Sequence, residues 1–347
     1  MTLKGRKNHY NVKLLRGYGV SISLKNNKVC LRNGTDVLSD KTDIEEWFVT
    51  KLPYEKIVIS GRGYVSTEAI KLLCENNKNI ILTDTYGHPI SFVNGGMTSL
   101  TGTKYRIAQY DAFRDPVICQ NLSKKIVKEK IESQIRFLEL TKNFDVKEGI
   151  LHLHDYLSQL DYNSPEKIEV GSSRVYFREF SKLIPSKYGF ESRNQSSIRI
   201  TKRHASDVIN GLLNYGYAVL AGEISKFVCG FGLDPYHGFM HKSHTGFQPL
   251  VYDIIEPFRW LAEYSVWKLA NIKSKQKIRL KDYVFTKNGT IVLDENLIRR
   301  FLEILERTFQ MEREYKFKHG RKMKNGMSMC QEITIVKISI EELISKF

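Results

Sequence analysis

The chain runs to 347 residues, room for two domains at roughly 100–200 residues each. Its 41% hydrophobic and 27% charged residues are the composition of a folded globular protein, not of a disordered one. Lys plus Arg number 54 against 38 Asp plus Glu, and the net charge of +16 points to a polyanionic partner while leaving the reaction open.

No stretch approaches the roughly 18 uninterrupted apolar residues of a membrane helix, and the start lacks the apolar segment of a signal peptide. A cytoplasmic location without a membrane partner is therefore expected. The five cysteines, Cys30, Cys74, Cys119, Cys229 and Cys330, are widely spread and never fall into Cys-x-x-Cys spacing. That argues against a disulfide framework and against a structural zinc site.

The first ninety or so residues read as β-rich. Val20, Ile22 and Leu24 alternate with polar residues, Asn26-Asn27 supplies a turn, and Val29 and Leu31 resume the alternation before Asn33-Gly34, itself a hairpin signature. Lys56 to Ser60 is a further strand, Gly61-Arg-Gly63 reads as a turn, Ser66 caps a helix carrying Ile70, Leu73 and Cys74, and Ile80 to Leu82 is a buried strand. Gly95-Gly96 is the expected hinge. Beyond it the spacing turns helical: Lys124 to Leu140 with a basic outer face, Leu151 to Leu160, and a third helix capped by Ser206 or Asp207. That third helix carries Val208, Leu212, Tyr215 and Val219 and stops at Gly230-Phe-Gly232. A fourth runs from about Leu250 to Leu269 and is kinked at Pro257. The fold expected is α+β: a small β-rich N-terminal domain, 1–95, followed by a larger all-α domain, 96–347.

His237, His241 and His244 crowd together just before Asp253 and Glu256, which lie three apart on one helical face, with Gly238 and Gly246 giving the loop room to fold back. Mixed imidazole and carboxylate donors suit Mn²⁺ or Zn²⁺ and tolerate Mg²⁺. Surface histidines beside solvated helix-start carboxylates would look the same. His152 and His154, two apart in a helical stretch, point in different directions and have a structural reading. Glu169 sits among Gly171, Ser172 and Ser173, small enough for a backbone or a phosphate to approach, with Arg174 one turn on. A helix-start glutamate paired with that arginine is the alternative, and spacing leaves both open.

Three blocks occur in order: Glu169-Val-Gly-Ser-Ser-Arg-Val-Tyr-Phe177, then Asp207-Val-Ile-Asn-Gly-Leu-Leu-Asn-Tyr-Gly-Tyr217, then Gly232-Leu-Asp-Pro-Tyr-His-Gly-Phe-Met-His241 leading to Leu250-Val-Tyr-Asp-Ile-Ile-Glu-Pro-Phe-Arg259. Together they resemble the CRISPR-associated integrase family, CRISPR-associated protein one, of the spacer-acquisition machinery. Ile57-Val-Ile-Ser-Gly61, Arg106-Ile-Ala-Gln-Tyr110 and Leu280-Lys-Asp-Tyr-Val284 extend the resemblance over nearly the whole chain. Val170-Gly171-Ser172 departs from the glycine- and alanine-rich wording usual after the glutamate.

The resemblance implies a metal-dependent DNA endonuclease and integrase that joins protospacer 3′-hydroxyl ends into the CRISPR repeat array by transesterification. It implies Glu169, His241 and Glu256 as ligands of Mg²⁺ or Mn²⁺, with Asp253 supporting, and assigns His237 and His244 to the loop or to DNA contact. Arg174 and Arg259 would hold a ligand carboxylate or a phosphate. Lys316, Lys318, Arg321, Lys322 and Lys324, interleaved with aromatic residues, would grip DNA phosphates. The partners implied are double-stranded and branched DNA, a second copy in a homodimer through the N-terminal domain, and CRISPR-associated protein two. Two further classes share features: a casposon-type transposase, with the same catalytic blocks, and a nucleic-acid-binding protein without catalysis, with only the charge.

Overall fold

Alternating apolar residues at Leu15, Val20, Ile22, Val29 and Leu31 need a second layer to cover them, and a mixed sheet with one helix on that face provides it. The computed structural model describes residues 12–35, 42–84, 89–93, 102–193, 205–241, 247–274, 277–287, 289–316 and 327–346. Its N-terminal part holds β1 (Val12–Lys25), β2 (Lys28–Arg32), β3 (Ile44–Trp47), β4 (Lys56–Val65), α1 (Thr67–Glu75), β5 (Asn79–Thr83) and β6 (Pro89–Val93). The six strands form one sheet in the order β3-β2-β1-β4-β5-β6, parallel at β1/β4 and β4/β5 and antiparallel elsewhere. Ser66 caps α1 by accepting from the Ala69 N–H, and Ala69 and Leu73 bury against the sheet.

The Asn26-Asn27 turn is where the sequence puts it, with both residues in the left-handed region at φ 50° and 58°, the conformation a two-residue hairpin demands. Asn33-Gly34 begins the connection between β2 and β3, which pair antiparallel, and there Asn33 Oδ1 accepts the Arg16 N–H at 2.7 Å and Thr35 bridges back to Tyr18. One other turn signal is overruled. Gly61-Arg-Gly63 lies inside β4, because β1 passes so close that a Cβ on Gly63 would stand 1.7 Å from the Val20 carbonyl oxygen. The glycines are there for that approach, not for a bend.

The rest is mostly helical: α2 (Gly102–Arg114), α3 (Pro116–Leu140), α4 (Lys147–Gln159), α5 (Pro165–Lys182), α6 (Val208–Gly230), α7 (Pro249–Ile255) and α8 (Trp260–Ala270). Two short antiparallel pairs interrupt it, β7 (Tyr283–Phe285) with β8 (Ile291–Leu293), and β9 (Glu312–Lys316) with β10 (Met327–Gln331), around α9 (Glu295–Phe309) and before α10 (Glu332–Ile344). The α+β architecture is as expected, and the helical region is helical with these two hairpins added. Pro257 falls in a single 3-10 turn, Glu256–Phe258, between α7 and α8, the interruption its missing N–H requires. Among the described residues no helix is long and apolar enough to cross a membrane.

By compactness the chain divides into two units, each built from three stretches: Met1–Gly96, Ser186–Lys226 and Lys268–Glu306 in the first; Met97–Pro185, Phe227–Trp267 and Arg307–Phe347 in the second. The Gly95-Gly96 hinge itself lies outside the described residues. Within the first unit the sheet is tied to α6 and α9 by buried polar contacts. Ser60 Oγ meets Tyr215 Oη at 2.9 Å, Asn79 Nδ2 donates to the Gly222 carbonyl at 3.0 Å, and Lys56 Nζ sits 2.6 Å from Glu306 Oε1 and 3.9 Å from Glu223 Oε1. All three charged side chains are buried, so the ion pairs are costly to break.

Lys56→Met leaves Glu306 and Glu223 buried without their cation and is expected to lower the unfolding free energy by about 3–5 kcal/mol in chemical denaturation. A cost below about 1 kcal/mol, the range of exposed pairs, would contradict the role given to this contact.

Candidate metal-binding and catalytic site

The second unit is organised around aromatic packing among α3, α5 and α8. Phe137 lies 6.3 Å from Tyr176, 5.9 Å from Phe180 and 6.1 Å from Tyr264, ring centre to ring centre. Two turns back along α3 and α5 from Phe137 and Tyr176 stand Lys130 and Glu169, so that packing also sets these two side chains against each other. Lys130 Nζ hydrogen-bonds Glu169 Oε1 and lies 2.7 Å from Glu256 Oε2 in the turn after α7. Ser173 Oγ, one turn on, donates to the same Glu169 oxygen at 3.2 Å, and Arg259 Nη2 lies 2.9 Å from Glu256 Oε1. Burial alone would raise the Glu256 pKa, but Arg259 and Lys130, with His241 behind them, bring it down to about 2.

A second cluster fixes His241. The Asp253 carboxylate, fully buried on α7, accepts the backbone N–H groups of Phe239 (2.7 Å), Met240 (3.1 Å) and His241 (2.9 Å). Its Oδ1 also meets His241 Nδ1 at 2.6 Å. With Nδ1 committed to Asp253, Nε2 is the nitrogen His241 can offer a metal. Burial disfavours the imidazolium, yet the Asp253 hydrogen bond and the charges of Asp253 and Glu256 outweigh it and hold the His241 pKa above 6.5. Gly238 is required by the same contact: a Cβ there would lie 2.6 Å from Asp253 Oδ2.

The loop before His241 is held from its other side by α2. The Gln109 amide, fully buried, accepts from the Asp234 N–H at 2.8 Å and donates to the carbonyls of Asp234 (2.9 Å) and His237 (2.7 Å). Tyr110 Oη donates to Asp234 Oδ2 at 2.7 Å, and Arg106 Nε donates to the Gly232 carbonyl at 3.1 Å. The Arg106 to Tyr110 block is thus the clamp on the loop that carries His241. His237 serves that loop as well, packed beside Tyr110 and Phe113.

Of the residues singled out from sequence, Glu169 and Glu256 come together on Lys130, Arg259 on Glu256, and Asp253 on His241. Arg174 is exposed on α5 and, among the described residues, forms no ion pair, so the pairing with Glu169 considered from spacing does not form. Gly171 is small for a helix contact: a Cβ there would lie 2.6 Å from Tyr156 Oη of α4. His152 and His154 lie on α4, His152 half-buried and His154 exposed. Lys316 closes β9, while His244, Gly246, Lys318, Arg321, Lys322 and Lys324 lie outside the described residues. Sequence reasoning missed Lys130 and Gln109. Lys130 stands beside the buried Ile126, Val127 and Ile131, on a face that only the packing of α3 distinguishes from its basic one.

Two carboxylates that meet one buried ammonium, beside an imidazole held by its Nδ1, are in kind the donors a hard divalent cation takes. Among the described residues no three His, Cys, Asp or Glu side chains form a preformed cage, and Lys130 Nζ stands between the two glutamates.

The family model described as CRISPR associated protein Cas1 matches residues 14–307. A relative from Archaeoglobus fulgidus named CRISPR-associated endonuclease Cas1 1 is 33% identical over 226 residues, which span 59% of this chain and 64% of the relative, just under two thirds of its length. Among solved structures, a casposase bound to integration product superposes with a TM-score of 0.80 at 23% identity, covering 96% of this chain and 89% of that one. A chain of a Cas6-RT-Cas1–Cas2 complex superposes with a TM-score of 0.72 at 18% identity, covering 99% of this chain and 36% of that one. At these identities the two structures establish a common fold.

In the metal-free protein the His241 ring is expected to titrate above 6.5 by NMR, and in Asp253→Asn lower than in wild type, because only the Glu256 charge is then left to oppose burial. The raised value favours the imidazolium in the folded chain. The stability it contributes is present at low pH and disappears as pH rises through the folded pKa. A wild-type midpoint under 6.5 would contradict the Asp253 contact.

Proposed function

Because this chain belongs to the CRISPR-associated Cas1 family, we propose that it is a metal-dependent DNA endonuclease and integrase, joining protospacer 3′-hydroxyl ends into a CRISPR repeat array by transesterification. The observation that carries the reading is the convergence of Glu169 and Glu256, from separate helical segments, on one buried cation position, in the unit where Asp253 fixes His241. Glu169, Glu256 and His241 Nε2 would hold Mg²⁺ or Mn²⁺. The bound ion would supply charge neutralisation for the in-line phosphodiester transition state and a lower pKa for the attacking hydroxyl.

The chain's own residues do the positioning. Asp253 fixes the His241 tautomer and presents Nε2, Arg259 orients the Glu256 carboxylate, and Gln109 with Tyr110 keeps the intervening loop from shifting the imidazole. Exposed Arg174, on the helix that carries Glu169, is available to a DNA phosphate, and so in this reading is the basic run of Lys316, Lys318, Arg321, Lys322 and Lys324. Double-stranded and branched DNA are the substrates. The β-rich region 1–95 makes a homodimer, and CRISPR-associated protein two is the heteromeric partner, as the family resemblance implies. Residues 96–347 carry the catalysis, and the cytoplasm is its location. The match to the Cas1 family favours spacer acquisition over a casposon-type transposase, to which the likeness is one of fold.

Glu169→Ala, His241→Ala and Glu256→Ala are each expected to reduce joining of a labelled duplex to a repeat-containing plasmid in Mn²⁺ or Mg²⁺ by at least about 100-fold. Binding of DNA should be retained. Full activity in His241→Ala would reject the ligand set. Replacing Lys316, Lys318, Arg321 and Lys322 together with alanine should flatten the log–log salt dependence of DNA binding by about 0.9 for each duplex phosphate that is no longer neutralised. An unchanged slope would show that the segment does not touch DNA.

A further inference from the structure

Lysine is rarely buried unless it is paired, and Lys130 is only 4% exposed. Its neighbours on α3, Ile126, Val127 and Ile131, are buried apolar residues, so its ammonium has the two carboxylates and little else to answer its charge. Lys130 and Arg259 then balance Glu169 and Glu256 charge for charge. Arg259 meets one oxygen of Glu256 through Nη2 of a rigid, planar guanidinium, whereas the lysine ammonium sits at the end of four rotatable methylenes. A divalent cation entering on top of both would place two like charges beside itself, and the buried one, Lys130, has little water to screen it from the ion. The mobile one of the two must give way.

We infer that Lys130 is a built-in counter-cation: in the metal-free chain its ammonium occupies the space between Glu169 and Glu256, and a divalent cation enters by displacing it. The inference rests on those glutamates being metal ligands, as proposed above. Metal uptake is thereby an exchange of one cation for another. Lys130 keeps the two carboxylates converged when no metal is bound, and it weakens the apparent metal affinity by the fraction of molecules in which the position is open. A lysine that merely braced the ligands would do the opposite, since its removal would loosen them and weaken binding.

Mn²⁺ binding to the full chain, by calorimetry or by loss of the free-ion EPR signal, distinguishes the two. Lys130→Met, uncharged and of similar length, should bind Mn²⁺ about 10-fold more tightly than wild type, while Lys130→Arg, which keeps the charge, should bind no more tightly. The metal-free Met variant should melt below wild type and gain more on saturation with Mn²⁺. Weaker or equal Mn²⁺ affinity in Lys130→Met would overturn the exchange while leaving the metal site standing. Absence of Mn²⁺ binding in wild type and variants alike would instead remove the metal reading, and the exchange with it. Should the Met variant not fold without metal, Lys130→Gln takes its place. Recovery of its near-ultraviolet circular dichroism at Mn²⁺ concentrations below the wild-type Kd supports the exchange, and no recovery at saturation overturns it.

Discussion

A carboxylate removed from water must be met by a cation or by several N–H groups, and the second unit of this protein answers that requirement in both ways. Asp253, with no exposed surface, is met by three consecutive backbone N–H groups and an imidazole. Glu256, almost as deeply buried, is met by Lys130 and Arg259. The consequences spread outwards: Gly238 has no side chain because Asp253 fills its place, and His241 presents one defined ring nitrogen. Since each group needs its neighbour to be tolerated inside the protein, the cluster is specified as a whole and not residue by residue.

The first unit follows the same rule away from the candidate site. Lys56 on β4 meets Glu306 of α9 and Glu223 of α6, so the sheet is fixed to later helices by charge as well as by apolar area. This arrangement and the close crossing at Gly63 explain why stretches distant in sequence make one compact unit. Neither needs a ligand.

Local signals in the sequence carried far. The Asn26-Asn27 turn, the Ser66 cap, the α6 stop before Gly232 and the Pro257 interruption each depend on a residue's own backbone preference, and each occurs where that preference puts it. What local preference could not reveal was the approach of a second strand. Gly61 and Gly63 read as a turn until β1 is seen against them, and β3 and β6 are too short to show an alternation. In the site, the acidic and imidazole residues were legible from their blocks. Lys130 was not, because a lysine in a helix with many lysines looks solvated until tertiary packing shows which face it is on. Gln109 was hidden for a related reason, since a buried amide that spans three backbone groups leaves no periodic mark.

In the proposed reading Glu169, Glu256 and His241 make one divalent-cation site whose place Lys130 holds until metal arrives. Crystals of the protein soaked in Mn²⁺, with anomalous differences collected at a wavelength where manganese scatters strongly, test it most directly. One strong peak is expected, in coordination contact with both glutamates and with His241 Nε2, and with Lys130 Nζ withdrawn from between them. A manganese peak on other residues, or one bound to these three with Lys130 still bridging Glu169 and Glu256, would contradict it.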